Sequence, residues 1–334
     1  MQSKDSVSSS VKKKLQIGSL TINSPVVLAP MAGITDKVLR SMVRMFSSDC
    51  LLFTEMISSE ALFYNNSGEI LDHDRSELPL AFQISGHKPE LMAHAAKKLE
   101  EFASVIDINM GCPAPKIVKN FDGAKLMTDL KLSSSIITAV KNAVDLPVTV
   151  KCRLGWDSSS KNHIEFAEMA EDSGADAIIM HGRTRAQQYS GRADWNAIGE
   201  TKTRVKIPVI ANGDIDSPQK ALSCLEISGC DGIAVGRGVL GDPGLINRIE
   251  RYINDREDLP EPSIKQRIEL ALLHCKKEME FRGEEAGIKF MRKFFAYYIR
   301  EIRNAAKYRH DLVRVNRYSD IEQLFFKIAV DIEE

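Results

Sequence analysis

The chain has 334 residues, 43% hydrophobic and 27% charged, with a formal net charge of −1. That balance is ordinary for a folded soluble protein, and no apolar run approaches the roughly 20 residues that cross a bilayer. Six cysteines without a C-x-x-C pair and seven histidines without H-E-x-x-H exclude the common zinc patterns, so no metal is expected.

Residues 1–14 are polar and rich in Ser and Lys, without the apolar stretch of a secretory signal. They read as a flexible leader on a cytoplasmic protein. In that reducing compartment most of the cysteines (Cys50, Cys112, Cys152, Cys224, Cys230 and Cys275) are expected as small buried hydrophobes, with one reactive thiol left open.

Short apolar runs rich in β-branched residues then recur at 26–30, 50–56, 80–86, 105–111, 148–154, 177–183, 208–213 and 232–238. Continuous runs of this kind suit parallel strands buried on both faces. Between them lie segments of helical period, such as 90–102, 133–144, 162–173 and 219–227. Eight strands alternating with helices predict an α/β fold, a (β/α)8 TIM barrel over residues 15–250, with a doubly wound sheet as the competitor. One interval is long: 43 residues separate the starts at 105 and 148, against 24 to 31 elsewhere. The excess places a loop at 112–127 over the barrel mouth, and long loops in compact domains are usually functional.

Beyond residue 243 the pattern changes. Leu259-Pro260-Glu261-Pro262 reads as a linker, and Ser263 as the N-cap of a helix that opens an all-helical domain over 263–334. Its charge is uneven. From Lys289 to Arg317 there are nine Lys or Arg against two Asp or Glu, a local excess of +7, which matters more to a polyanion than the net sum.

The chemistry-bearing residues stand at the carboxyl ends of the runs, the face that carries the active site of a barrel. They are Pro30, Met31, Ala32 and Gly33; Gln83; Asn109 and Cys112; Lys151; His181 and Arg183; Asn212, Gly213 and Asp214; and Gly236 and Arg237. Residues 236–241 match G-x-G-x-x-G. However, they follow the eighth strand, and no second βαβ unit with a ribose-binding acid comes after them. Loops after strands seven and eight commonly hold phosphate, so a phosphate-bearing cofactor is expected there, with glycines serving tight turns as the alternative. A lysine such as Lys151 facing a barrel mouth needs an anionic partner, and Schiff-base chemistry is its rival reading. For His181 the alternative is a plain hydrogen-bonding role. Cys112, between Gly111 and Pro113, is a thiol on a stiffened loop, suited to proton donation or nucleophilic attack.

These motifs, in this order, resemble the tRNA-dihydrouridine synthase family, and its bacterial B-type branch most. The matching stretches are A-P-M-A-G at 29–33, T-E-M at 54–56, Q-I-S-G at 83–86, D-I-N-M-G-C-P at 107–113 and K-C-R-L-G at 151–155. They continue at 181–195, 212–214 and 236–238, and in the helical region at Met291-Arg292-Lys293 with Tyr297-Tyr298. Phe294 departs from the family, where a polar residue or histidine often follows M-R-K.

The resemblance implies reduction of the C5=C6 bond of a tRNA uridine by FMN, with NADPH as reductant. Pro30, Met31, Ala32, Gly33, Gln83, Lys151 and His181 would hold the flavin ring, and Asn212, Gly213, Asp214, Gly236 and Arg237 its phosphate. Hydride would pass from flavin N5 to uracil C6, and Cys112 would protonate C5. Asn109 would orient the uracil and Arg183 would contact the RNA backbone. Arg292 and Lys293 would bind tRNA, with Tyr297, Tyr298 and Tyr308 stacking or packing nearby, in a monomer. The competing readings are another FMN barrel of the dihydroorotate dehydrogenase kind, and an RNA-binding barrel without catalysis.

Overall fold

The computed structural model describes residues 13–64 and 71–333, so the first twelve residues of the expected leader lie outside the described residues. Two three-residue strands open the chain, β1 (Leu15–Ile17) and β2 (Leu20–Ile22), paired antiparallel across Gly18 at φ 52°. Eight parallel strands follow: β3 (Val26–Leu28), β4 (Leu52–Ser58), β5 (Leu80–Ser85), β6 (Val105–Asn109), β7 (Val148–Arg153), β8 (Ala177–His181), β9 (Val209–Asn212) and β10 (Gly232–Val235). Each overlaps one of the eight apolar runs. Their order is β3-β10-β9-β8-β7-β6-β5-β4, and a bridge from Val27 to Leu51, with Leu28 N–H donating to the Leu51 carbonyl at 2.9 Å, joins the ends. A sheet closed on itself is a (β/α)8 barrel, and the doubly wound alternative falls.

The outer layer is α1 (Lys37–Arg44), α2 (Ser59–Phe63), α3 (Pro89–Leu99), α4 (Pro115–Lys119), α5 (Leu130–Ala143), α6 (His163–Asp172), α7 (Trp195–Lys202), α8 (Pro218–Ser228) and α9 (Leu245–Asp255). Asp36, Asp129, Asp194 and Ser217 cap α1, α5, α7 and α8, each accepting a backbone N–H three residues on.

Inside the barrel the strand period of two decides what meets what. The lower layers are apolar, with Val27, Phe53, Ala81, Val105, Ala177, Ile179, Ile210 and Ala234 in one buried cluster. Leu15, Ile17 and Ile22 of the opening hairpin belong to the same cluster and plug the barrel under the amino-terminal ends of its strands. At about 2 kcal/mol for each large aliphatic side chain buried, the plug is a sizeable part of the stability. Two residues above Phe53, Ala81, Val105, Ile179 and Ile210 the interior turns polar, at Glu55, Gln83, Asp107, His181 and Asn212, which is what places the site.

After α9 come α10 (Ile264–Arg282), α11 (Glu284–Tyr298), α12 (Ala305–Leu312) and α13 (Tyr318–Glu333). Ser263 and Gln266 form a reciprocal capping box on α10, and Gly283 at φ 83° separates it from α11. The helices are packed on the barrel. A Cβ at Gly241, which sits at φ 76°, would lie 2.5 Å from the Tyr297 carbonyl oxygen, so the loop after β10 needs glycine to reach the end of α11. The apolar core runs on unbroken from Leu39 and Leu240 to Phe295, Tyr298 and Phe325.

Candidate active site

The floor of the mouth is a chain of buried polar groups on neighbouring strands. Gln83 Nε2 donates to Asp107 at 2.7 Å, Thr149 Oγ1 donates to the other oxygen of Asp107 at 2.6 Å, and Asn109 Nδ2 donates to Gln83 Oε1 at 2.8 Å. Burial pushes the Asp107 carboxyl up to about 7, while Thr149, Gln83 and Lys151 pull it back. Asp107 lay inside the sequence motif, but nothing in the motif distinguished it from an ordinary strand residue.

Asn109 Oδ1 accepts the backbone N–H of Gly111 at 3.3 Å and of Cys112 at 3.0 Å. Its side chain therefore builds the loop that carries the thiol, a structural task that the uracil-orienting role expected for it did not foresee. The Cys112 carbonyl is held in turn by Ala124 N–H at 3.0 Å, and Gly123, at φ 59°, lets the chain return against it. The long interval thus folds into α4 and a 3-10 turn at Gly123–Thr128. Five of the six cysteines are buried, and Cys112 alone is half-buried.

Lys151 and His181 rise from β7 and β8 beside this loop. The Lys151 ammonium donates to Asn212 Oδ1 at 3.2 Å and has no ion pair among the described residues. Burial pulls it down to about 8, the Arg153 charge adds to the effect, and Asp107 opposes it. His181 is buried, and its burial together with Lys151, Arg153, Arg183 and Arg237 holds it well below its usual value, so it is neutral at pH 7. Lys151, Arg153, Arg183 and Arg237 gather around the mouth, against the carboxyl groups of Asp107 and Asp214.

Its wall is built by two arginines. Arg153 is 3% exposed and donates to the carbonyls of Gly111 (2.8 Å), Thr184 (3.0 Å) and Gln188 (2.9 Å), so it ties the Cys112 loop to the loop after β8. It lay within K-C-R-L-G, yet sequence reading gave it no part. Tyr189, 55% exposed, lies between Arg153 and Arg237, whose guanidinium carbons stand 5.7 Å and 4.6 Å from its ring centre. Arg183 is the correction. It was expected on the RNA backbone, but it is 2% exposed, and its fork is taken by Ser190 (3.0 Å), Gly191 (2.7 Å) and both carboxylate oxygens of Asp214 (2.8 Å each).

The same pairing redefines Asp214, whose carboxylate also accepts Ala193 N–H at 2.7 Å and so offers a ligand only its backbone. That backbone is open. Among the described residues, the N–H groups of Asp214, Gly236 and Arg237 donate to no protein atom. Asn212 keeps its amide inside, donating to the Ala234 carbonyl at 2.7 Å. Three free N–H groups at adjoining loop starts, with exposed Arg237 beside them, form an anion cradle.

A dihydrouridine synthase family model matches residues 27–331. The chain belongs to that family. Among similar proteins, the probable tRNA-dihydrouridine synthase 1 of Synechocystis sp. is 40% identical over 314 residues, covering 93% of this chain and 88% of its own. The probable tRNA-dihydrouridine synthase of Rickettsia bellii is 41% identical over 301 residues, 88% of this chain and 91% of its own. The tRNA-dihydrouridine synthase B of Pseudomonas putida is 40% identical over 288 residues, 85% of each.

Family membership directs attention to the helices. Lys293 reaches the mouth, where it donates to the Gly33 carbonyl, with its ammonium 3.4 Å from the Phe290 ring centre. Arg292, its neighbour, points away and is spent on the Val315 carbonyl (2.9 Å) and Asn316 (2.7 Å). The two do not act at one place. Tyr298 and Tyr308 are 1% and 2% exposed and cannot stack on a base, which leaves Tyr297 at 39%. Phe294, the departure from the family pattern, is buried against His274 and Phe290. Lys289, Arg303, Lys307, Arg309, Arg314 and Arg317 are all exposed and paired to no acid among the described residues. There is no helix among the described residues long and apolar enough to cross a membrane, and no cluster of His, Cys, Asp and Glu suited to a metal.

Proposed function

We propose that this dihydrouridine synthase acts on tRNA, with FMN in the barrel mouth, NADPH as its reductant and Cys112 as the proton donor. The observation that carries the reading is Cys112, the one thiol not buried, on a loop braced by Asn109 and Arg153 at the rim of a cationic mouth. The donor set fits the cofactor. The free N–H groups of Asp214, Gly236 and Arg237, beside Gly213, suit its phosphate, and the unpaired Lys151 suits the negative edge of a reduced isoalloxazine ring. Pro30, Met31, Ala32 and Gly33 would line the ring from the side, and His181, kept neutral, would hydrogen-bond it without adding charge.

Bound and reduced, the flavin supplies a hydride to uracil C6. Cys112 then has one task, to deliver the Sγ proton to C5, so that hydride and proton together saturate the bond. A uracil inside a folded tRNA must be extruded to reach this mouth. We assign that docking to residues 263–334, on the unpaired cations of α11, α12 and the turn before α13, and the chemistry to residues 15–250.

The test is dihydrouridine content, by nucleoside mass spectrometry, in bulk tRNA from cells with and without this gene, followed by adding purified protein, FMN and NADPH to the deficient tRNA. Loss of dihydrouridine in the deletion and its return in vitro supports the proposal. Unchanged content with no activity in vitro overturns it.

A further inference from the structure

Gly33 is gripped from two sides. Its N–H donates to Glu55 Oε1 in the middle of β4, and its carbonyl accepts from the Lys293 ammonium on α11, so both of its peptide units are held. The grip continues three residues on. Arg282 at the end of α10 donates to Asp36 Oδ2 at 2.7 Å, while Asp36 Oδ1 caps α1 by accepting Leu39 N–H at 2.9 Å. Arg282 is itself braced by Glu278 at 2.8 Å and lies 4.1 Å from the Phe290 ring centre, the ring that Lys293 also covers. The helical region therefore holds the loop between β3 and α1 at Gly33 and again at Asp36. Ala32 and Gly33 are themselves exposed residues of a loop whose glycine sits at φ 71°.

We propose that Lys293 is a positioning residue for the cofactor: with Glu55 it fixes the Gly33 peptides, so the helical region completes the wall of the flavin site as well as carrying the RNA surface. This rests on the reading that FMN lies against residues 30–33. It changes the expectation for Lys293, which serves the loop and not an RNA phosphate.

The experiment compares Lys293→Met, Lys293→Arg and Glu55→Gln with the wild-type chain. Amide deuterium uptake at residues 32–35 is measured on protein stripped of flavin, FMN affinity by fluorescence titration, and tRNA affinity by filter binding. Loss of one charge-assisted hydrogen bond is worth about tenfold in a constant that depends on it. Lys293→Met is expected to raise uptake at 32–35 and to weaken FMN about tenfold while tRNA affinity changes less than twofold. Lys293→Arg restores both in large part, and Glu55→Gln, which leaves the helices intact, shifts both in the same direction as Lys293→Met. Unchanged uptake and FMN affinity in Lys293→Met, with weakened tRNA binding, overturns the proposal. If the wild-type chain takes up no FMN, the reading of the mouth fails, and the uptake measurement still decides whether the grip on Gly33 is real.

Discussion

Asp214→Asn tests the wall of the mouth without touching the thiol. Asn is the informative substitution because residue 214 sits at φ 59°, a conformation Asn tolerates and Ala does not, so backbone strain does not enter the result. The change removes the charge that faces Arg183, whose side chain is 2% exposed, and weakens two hydrogen bonds of 2.8 Å and one of 2.7 Å to Ala193 N–H. Removing one member of a fully buried pair costs about 3–5 kcal/mol. Asp214 keeps 28% of its side chain in solvent, Arg183 retains two carbonyl partners, and Asn still accepts, so about 2 kcal/mol is expected. The pH dependence gives a second check. Burial pushes Asp214 up, but Ala193 N–H and Arg183 outweigh it and hold the carboxyl below its ordinary 3.8. A depressed folded value contributes stability that is complete above the unfolded value and fades only as pH falls through the folded one. Urea unfolding at pH 7 and pH 5 is therefore expected to give the same gap between wild type and variant. A gap under 0.5 kcal/mol (roughly a surface substitution), or one that shrinks between pH 7 and pH 5, would refute the reasoning.

Lys151 predicts a pH effect on the cofactor. Its folded value near 8 lies below its ordinary 10.5, so the empty protein gains stability as pH rises from about 8 to 10.5, where the unfolded chain holds the extra proton. An anion bound beside it pulls that proton back. FMN affinity is therefore expected to fall as pH rises through 8 in the wild type and to stay flat there in Lys151→Met; equal slopes in fluorescence titrations would count against the pairing. On the helices, Arg309→Glu and Arg314→Glu are expected to weaken tRNA regardless of its sequence and to flatten the salt dependence by roughly one unit of log–log slope for each phosphate no longer neutralised. Slopes identical to the wild type would move the RNA surface elsewhere.

The barrel was legible because its strands are buried on both faces, and burial leaves continuous apolar runs. The hairpin of Leu15–Ile17 and Leu20–Ile22 was not, since three-residue strands next to a polar leader carry too little periodicity. Among site residues, sequence position identified Cys112, Lys151 and His181 as strand-end groups, because polar residues that close apolar runs stand out. It could not tell where Arg183 points, since its partner Asp214 lies 31 residues away and the pairing exists only once β8 and β9 are neighbours. Arg153 went unassigned because its acceptors are backbone carbonyls, which no side-chain pattern reveals. Whether Tyr298 and Tyr308 stack or pack was not legible for a related reason, and both are buried and pack. In a helix packed against its neighbours, exposure depends on rotation about the helix axis, and a basic stretch does not fix that phase.

The central claim is that Cys112 delivers the proton that completes uridine reduction, and single-turnover kinetics address it most directly. Protein reduced by NADPH is mixed with tRNA lacking dihydrouridine, and flavin absorbance and nucleoside composition are followed together for wild type and Cys112→Ala. Dihydrouridine formation is expected to slow by about 10²–10⁴ in the variant, the range for loss of a general acid, with flavin reduction by NADPH and tRNA affinity unchanged. Dihydrouridine formed by Cys112→Ala at the wild-type rate would contradict it.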